Sequence, residues 1–247
     1  MNDFSWIDFS SKIKSRYLTI APHMWWGDDL DVRFYLIKQL AALKNKKILD
    51  VGCNIGIIIS FLDKSNDTYG IDINEECISK AKELNPASNI TKTSMDNLEM
   101  YENGFFDIII MSNVLPGFDF GVQENRDTFI YKTFREMSRI LSDSGKIYFT
   151  TPNGESVHYK SSNKVNHSLL KKYFNETELA GKIKGWNSIS PICPKGMVNS
   201  RLKNKYKFIP HKVLCKFNFV WNKLIADMDE KVLESKFFYA ELYKKKA

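Results

Sequence analysis

Ile48-Leu49-Asp50-Val51-Gly52-Cys53-Asn54-Ile55-Gly56-Ile57-Ile58-Ile59 decides the fold of this 247-residue chain. An apolar run enters a glycine-punctuated turn and leaves it in a second apolar run, which predicts a strand near 47–52, a tight turn and a helix near 56–63. Gly52 and Gly56 lack a Cβ, so the backbone can turn sharply and lie against a ligand. Asn54 is the kind of non-glycine residue that best tolerates a left-handed conformation. Twenty residues after Gly52 stands Asp72, at the end of a second apolar run, Tyr69-Gly70-Ile71-Asp72. A carboxylate at that place can accept both hydroxyls of a ribose, as in doubly wound dinucleotide folds. The turn and the acidic strand end together point to a ligand that contains a nucleoside.

The details of the turn narrow the ligand. A dinucleotide fingerprint would put glycines at 52, 54 and 57, where this chain has Gly52, Asn54 and Ile57. A phosphate-binding Walker loop needs a Lys followed by Ser or Thr directly after its second glycine, and none follows Gly56. What remains is a carrier with ribose and adenine but no pyrophosphate, and S-adenosylmethionine fits.

Alternating periods extend this into an architecture. Asp31 to Lys44 places Phe34, Ile37, Leu40, Ala41 and Leu43 on one helical face. Strands near 47–52, 68–72, 90–94, 106–111 and 146–151 alternate with helices near 56–63, 75–84 and 126–141, the pattern of an open α/β sheet. Asn175-Glu176-Thr177-Glu178 reads as a capping box, predicting a helix from there to about Lys184 and a sixth strand near 187–192. His211 to Met228 reads as an inserted helix and Lys236 to Tyr243 as the last strand. The expected organisation is one domain, with an N-terminal cap (1–44), a cofactor-binding core (45–194), an inserted lid (195–235) and a closing strand (236–247).

Five ordered segments resemble the class I S-adenosylmethionine-dependent methyltransferases, over roughly residues 45 to 190. Ile48 to Gly56 is similar to the family's first motif and Tyr69 to Asp72 to its ribose-binding strand end. Ser94-Met95-Asp96-Asn97-Leu98 resembles the segment that meets the adenine edge. Phe106 to Asn113 looks like the fourth strand, and Ile140 to Asn153 like the following helix, turn and fifth strand. The resemblance implies a doubly wound, mostly parallel seven-stranded sheet with helices on both faces and the last strand antiparallel. It also implies S-adenosylmethionine as cofactor and S-adenosylhomocysteine as product. The residues put forward for the cofactor are Asp50, Gly52, Cys53, Asn54, Gly56, Asp72, Ile73, Met95, Asp96, Asn97 and Asn113, with Ile73 and Met95 offering apolar surface to the purine. The chain departs from the family twice. Asn54 replaces the commonest glycine of the first motif, and Val114-Leu115-Pro116-Gly117-Phe118 stands where many relatives carry a Glu-His pair.

Candidate proton acceptors are therefore sought elsewhere: Glu155 and His158 in the loop after the fifth strand, His167 beyond them, and His23. His23 lies in Pro22-His23-Met24-Trp25-Trp26-Gly27, which resembles a tryptophan-bearing segment of some methyltransferases found with glycan-assembly enzymes. No Asn-Pro-Pro-Tyr follows the fourth strand, where amino-methylating relatives carry it, and no Pro-Cys pair offers a nucleophile toward cytosine. The leading expectation is methylation of a hydroxyl on a small molecule, sugar or lipid-linked precursor. An RNA-directed enzyme and a catalytically inactive partner subunit are the alternatives.

Charge bears on the acceptor. The chain carries +7 at neutral pH, and from Lys195 onward it holds 13 Lys and Arg against 5 Asp and Glu. That basic, aromatic segment suits an anionic or lipid-linked acceptor, or a peripheral membrane contact through 195–235. Nucleic acid is the less expected partner, and the assembly expected is a monomer or homodimer. No apolar stretch approaches the roughly 20 residues that span a bilayer, and Met1-Asn2-Asp3-Phe4-Ser5 lacks a signal pattern, so a cytoplasmic protein is expected. Cys53, Cys77, Cys193 and Cys215 show no C-x-x-C spacing, which suggests neither a disulfide framework nor a metal site.

Overall fold

The strands predicted around the glycine turn form the middle of one sheet. The computed structural model of the protein describes residues 30–115, 126–155, 165–186, 235 and 237–245. In chain order the elements are α1 (Leu30–Leu40), β1 (Lys47–Val51), β2 (Asp67–Asp72), α2 (Glu75–Leu84), β3 (Asn89–Lys92), β4 (Phe106–Ser112), α3 (Arg126–Ile140), β5 (Leu141–Pro152), α4 (His167–Glu176), β6 (Leu179–Trp186) and β7 (Phe237–Lys244). The seven strands are ordered β3-β2-β1-β4-β5-β7-β6. Pairing is parallel from β3 to β5, and β7 runs antiparallel between β5 and β6.

Strand side chains alternate between two buried faces. On one, Leu49, Val51, Ile109, Met111, Phe149 and Phe238 pack against Ile130, Phe134 and Met137 of α3 and Leu170, Tyr173 and Phe174 of α4. On the other, Ile48, Ile108, Ile110, Tyr148 and Tyr239 meet Phe34, Leu36, Ile37 and Leu40 of α1. Cys77, Ile78 and Ala81 of α2 join Cys53, Ile59 and Ile90. Because both faces are covered, the central strands read as continuous apolar runs.

Two expectations are corrected. Residues 56–63 form a series of turns that ends in a 3-10 turn at Ile59–Phe61, not an α-helix. Gly56 sits at φ +74°, and the β-branched Ile55, Ile57, Ile58 and Ile59 are all buried. Four such residues do not fit one helical stripe, and β-branching disfavours helix besides. Further on, Leu179–Trp186 is a strand where a helix was expected, while residues 187–192, expected to be that strand, lie outside the described ones. The helix begins earlier, because Asn166 is the residue that caps it, its side chain accepting the Leu169 N–H at 2.8 Å. Asn175 lies in its last turn, and the chain then passes through Glu178 at φ +58° into β6. Gly181 belongs to that strand, since a Cβ there would run into the Glu241 carbonyl and Leu242 of β7. The expected cap before residue 30 and the expected helix at 211–228 also fall outside the described residues. No helix among the described residues is long and apolar enough to cross a membrane.

Candidate cofactor and active site

In an open α/β sheet, ligands sit beyond the carboxyl ends of the parallel strands. Five of the sequence-selected residues meet there around β1 and β2. Gly52 turns the chain at φ +64°, and a Cβ on it would lie 2.5 Å from Val114 Cγ1. Both the left-handed backbone and the approach of the β4 exit therefore require glycine. Cys53 N–H donates to the Ile71 carbonyl at 2.9 Å, extending the β1–β2 ladder by one step. Asn54 follows at φ +51°, with its own side-chain oxygen accepting the Ile55 N–H at 2.7 Å. Gly56 closes the turn, its N–H donating to the Cys53 carbonyl, and a Cβ there would strike the Asn85 amide at the end of α2.

Asp72 is held by one oxygen on this turn and by the other on the start of the following helix. Oδ2 accepts the Asn54 N–H and Oδ1 accepts the Asn74 N–H, each at 2.9 Å. Each oxygen retains lone-pair capacity for a ribose hydroxyl. The helix cap that follows is supplied by Asn74, whose side chain accepts the Cys77 N–H at 3.0 Å, so Asp72 is not engaged in capping α2. Ile73 is 56% exposed beside it, a large apolar side chain left in the open at the strand end.

Asp50 lies on β1 beneath the turn, only 2% exposed, and its Oδ2 is buried with no hydrogen-bond partner. Burial raises its pKa to about 7 from an ordinary 3.8; the nearby Arg33 charge pulls it down and Asp72 pushes it further up. A buried carboxylate with an open acceptor site complements the positive charge of an S-adenosylmethionine molecule, so the residues present fit this group. Cys53 is a different case. It is buried and its thiol is pushed well above the ordinary range by burial and by Asp50 and Asp72, which leaves it as packing rather than a nucleophile.

The Ser94–Leu98 segment, put forward for the adenine edge, adjoins the same strand end. Thr93 N–H donates to the Asp72 carbonyl at 3.1 Å, fixing the start of Ser94–Leu98 beside Asp72. Asn97 N–H donates to the Ser94 carbonyl at 3.2 Å, and the Ser94 hydroxyl donates to Asp96 Oδ1. Asp96 and Met95 are half-buried and Asn97 is exposed. After β4, Asn113 takes a left-handed φ of +56° and its N–H donates to the Thr150 carbonyl at 2.9 Å. The structure thus gathers Asp50, Gly52, Cys53, Asn54, Gly56, Asp72, Ile73, Met95, Asp96, Asn97 and Asn113 at one end of the sheet.

Of the candidate proton acceptors, His23 and His158 lie outside the described residues. Glu155 is exposed, and its Oε2 accepts the His167 N–H at 3.2 Å, so the carboxylate sits at the start of α4. His167 is half-buried against Phe238, with ring centroids 5.9 Å apart. Its pKa is lowered, first by burial and then by Lys171, while Glu155 opposes the shift. Asn153, which falls in the stretch directly after the fifth strand, had no role legible in the sequence. Fully buried, it donates to the Ser235 carbonyl at 2.7 Å and accepts the Glu155 N–H at 2.8 Å, tying the β5 exit to β7. Its partner is 82 residues away, so only its place directly after an apolar run pointed to it. Among the described residues no group of three or more His, Cys, Asp or Glu is placed to hold a metal ion.

Fold and site define a nucleoside-cofactor enzyme of the doubly wound class. The methyltransferase domain family matches residues 42–215, and the chain belongs to this family, the class I S-adenosylmethionine-dependent methyltransferases. It is 28% identical over 179 residues to a release factor glutamine methyltransferase of Flavobacterium psychrophilum, covering 61% of this chain and 60% of that protein. It is 29% identical over 107 residues to a ubiquinone biosynthesis O-methyltransferase of Methylococcus capsulatus, covering 38% of this chain and 45% of that one. The chain thus spans about half the length of these relatives. A SAM-dependent methyltransferase from Archaeoglobus fulgidus has the same fold, with a TM-score of 0.56 at 17% identity over 94% of this chain and 100% of that one. So does a complex of the Haloferax volcanii Trm112 methyltransferase activator with a methyltransferase, with a TM-score of 0.60 at 12% identity over 97% of this chain and 98% of that one.

Proposed function

We propose that this chain transfers a methyl group from S-adenosylmethionine to a hydroxyl of a small molecule, sugar or lipid-linked precursor. The observation behind this reading is the β4 exit, Ser112-Asn113-Val114-Leu115, in place of the Asn-Pro-Pro-Tyr of amino-methylating relatives. Asn113 is fixed there by backbone pairing to Thr150, and Val114 packs against Gly52. One named relative is itself an O-methyltransferase.

When bound, S-adenosylmethionine supplies an activated sulfonium methyl that passes to the acceptor oxygen while the C–S bonding pair stays on sulfur. The chain's own residues align and deprotonate. Holding the acceptor in line contributes up to ~7–11 kcal/mol of the barrier. A base that takes the hydroxyl proton adds roughly 10²–10⁴ in rate. His158, Glu155 and His23 are the proposed bases, with His167 beside Glu155. The lysine-rich 195–235 segment is the proposed acceptor-side lid.

The test supplies methyl-labelled S-adenosylmethionine with two acceptor sets. One holds phenols, sugars and lipid-linked sugars; the other holds glutamine-containing peptides and RNA. Label recovered as a methyl ether supports the proposal, whereas label on an amide, amine or nucleobase overturns it.

A further inference from the structure

The loop proposed to read adenine is short of restraints of its own, and an ion pair on the neighbouring helix makes up the difference. Within residues 93–98 the hydrogen bonds are local: Asn97 N–H to the Ser94 carbonyl, Thr93 Oγ1 to the Asn97 carbonyl, and the Ser94 hydroxyl to Asp96. The start of the loop is anchored at Thr93 on Asp72. Its exit is gripped from α3. Glu136 Oε2 accepts the Leu98 N–H at 3.3 Å, and Arg139 Nη2 donates to the Leu98 carbonyl at 2.9 Å. Both backbone groups of one residue, two places after Asp96, are thereby engaged by one ion pair, the carbonyl also accepting the Tyr101 N–H at 2.9 Å while the N–H is held by Glu136.

Arg139 is saturated. Nε and Nη2 donate to Glu136 Oε1 and Oε2 at 3.0 and 2.7 Å, and Nη1 donates to the Tyr101 carbonyl at 2.8 Å and to Asn103 Oδ1 at 3.0 Å. The pair is largely shielded, with side-chain exposures of 28% for Arg139 and 18% for Glu136. A planar fork is required for this pattern, since an ammonium on a flexible stem cannot make the bidentate contact and reach three separate acceptors at once.

We propose that Glu136 and Arg139 are a positioning pair that sets how strictly the cofactor site reads the adenine base, by fixing the direction in which the 94–98 loop presents Asp96. This rests on the reading of Asp96 as the acceptor for the adenine amine. Neither residue touches the base itself. They are separated from the loop by 38 or more positions along the chain, so the grip exists only once α3 is packed.

The probes are S-adenosylhomocysteine and S-inosylhomocysteine, which differ in carrying an amine or an oxo group on the purine. Their dissociation constants are measured by calorimetry on the full chain, with thermal melting of each variant alongside. A hydrogen bond to a charged carboxylate corresponds to a preference of about tenfold or more for the amine in wild type. Asp96→Asn should abolish that preference. If wild type or Asp96→Asn shows otherwise, the adenine reading falls, and this inference with it. Given that reading, Arg139→Lys and the isosteric Glu136→Gln should each reduce the preference to within about threefold, with the purine-independent part of affinity little changed. Should either folded variant keep the full preference while both affinities fall in parallel, the pair is only a brace for α3 and the proposal is overturned. Glu136→Gln serves as the deciding variant if Arg139→Lys does not fold.

Discussion

If Asp50 answers the cofactor's charge as proposed, it sets stability against binding, and replacing it with asparagine separates the two. The folded chain holds the Asp50 proton with a pKa of about 7 against an ordinary 3.8. A group whose folded pKa is raised contributes stability that is fully present below the unfolded value and is lost as pH climbs through the folded one. At pH 8 the ionised carboxylate therefore costs up to about 4 kcal/mol, from three pKa units at 1.36 kcal/mol each. Asp50→Asn fixes an uncharged side chain of similar shape. Urea denaturation without cofactor should show the variant more stable than wild type at pH 8, by as much as that limit, with the difference vanishing near pH 4. Calorimetry should show the opposite for function, because the amide no longer answers the positive charge of S-adenosylmethionine. Wild-type affinity should also fall as pH drops below about 7, approaching tenfold per unit as the carboxylate protonates. An asparagine variant that is less stable at pH 8 and still binds S-adenosylmethionine like wild type would refute this account of Asp50.

Two further outcomes follow from the geometry. Asp72→Ala should weaken S-adenosylhomocysteine binding by about 1.5–3 kcal/mol, the worth of hydrogen bonds to a charged group, and NAD should not bind either protein in calorimetry; equal affinity in the mutant removes Asp72 from the site. For the proton acceptor, His158→Ala or Glu155→Gln should lower turnover by roughly 10² or more with cofactor affinity nearly unchanged; single-turnover assays in which both variants keep full rates would turn attention to His23 and His167.

The parts of this molecule set by local rules were legible in the sequence. β1, the glycine turn and Asp72 follow from runs of apolar residues and from backbone positions that only Gly or Asn accept easily, and the structure places Gly52, Asn54 and Gly56 at φ of +64°, +51° and +74°. The errors came where two local signals competed. Asn175 to Glu178 has the residues of a capping box, yet Asn166 begins the helix, and the partner that makes Leu179–Trp186 a strand is more than fifty residues away in β7. Likewise, 56–63 is apolar enough for a helix, but its isoleucines are buried on every side. Contacts that depend on packing left no mark in the sequence: the grip of Arg139 on Leu98, the tie from Asn153 to Ser235, and the charge state of Asp50.

The placement of β7 between β5 and β6 has a consequence for how the chain acquires its structure. Lys146 of β5 meets Glu241 of β7 at 2.7 Å across 95 residues, and among the described residues β6 has no strand neighbour except β7. β6 leaves the ribosome well before β7 does, so during synthesis its edge toward β7 must wait unpaired, and the facing edge of β5 waits with it. Pairings of such long sequence separation form late and slowly, and open edges are where chains join one another wrongly. The other half of the sheet, β3-β2-β1-β4, has all of its strands synthesised before then. A nascent chain that has not yet made residues 237–244 would already own its glycine turn while its far edge stays open, which makes that edge the place for a chaperone to act and for aggregation to begin.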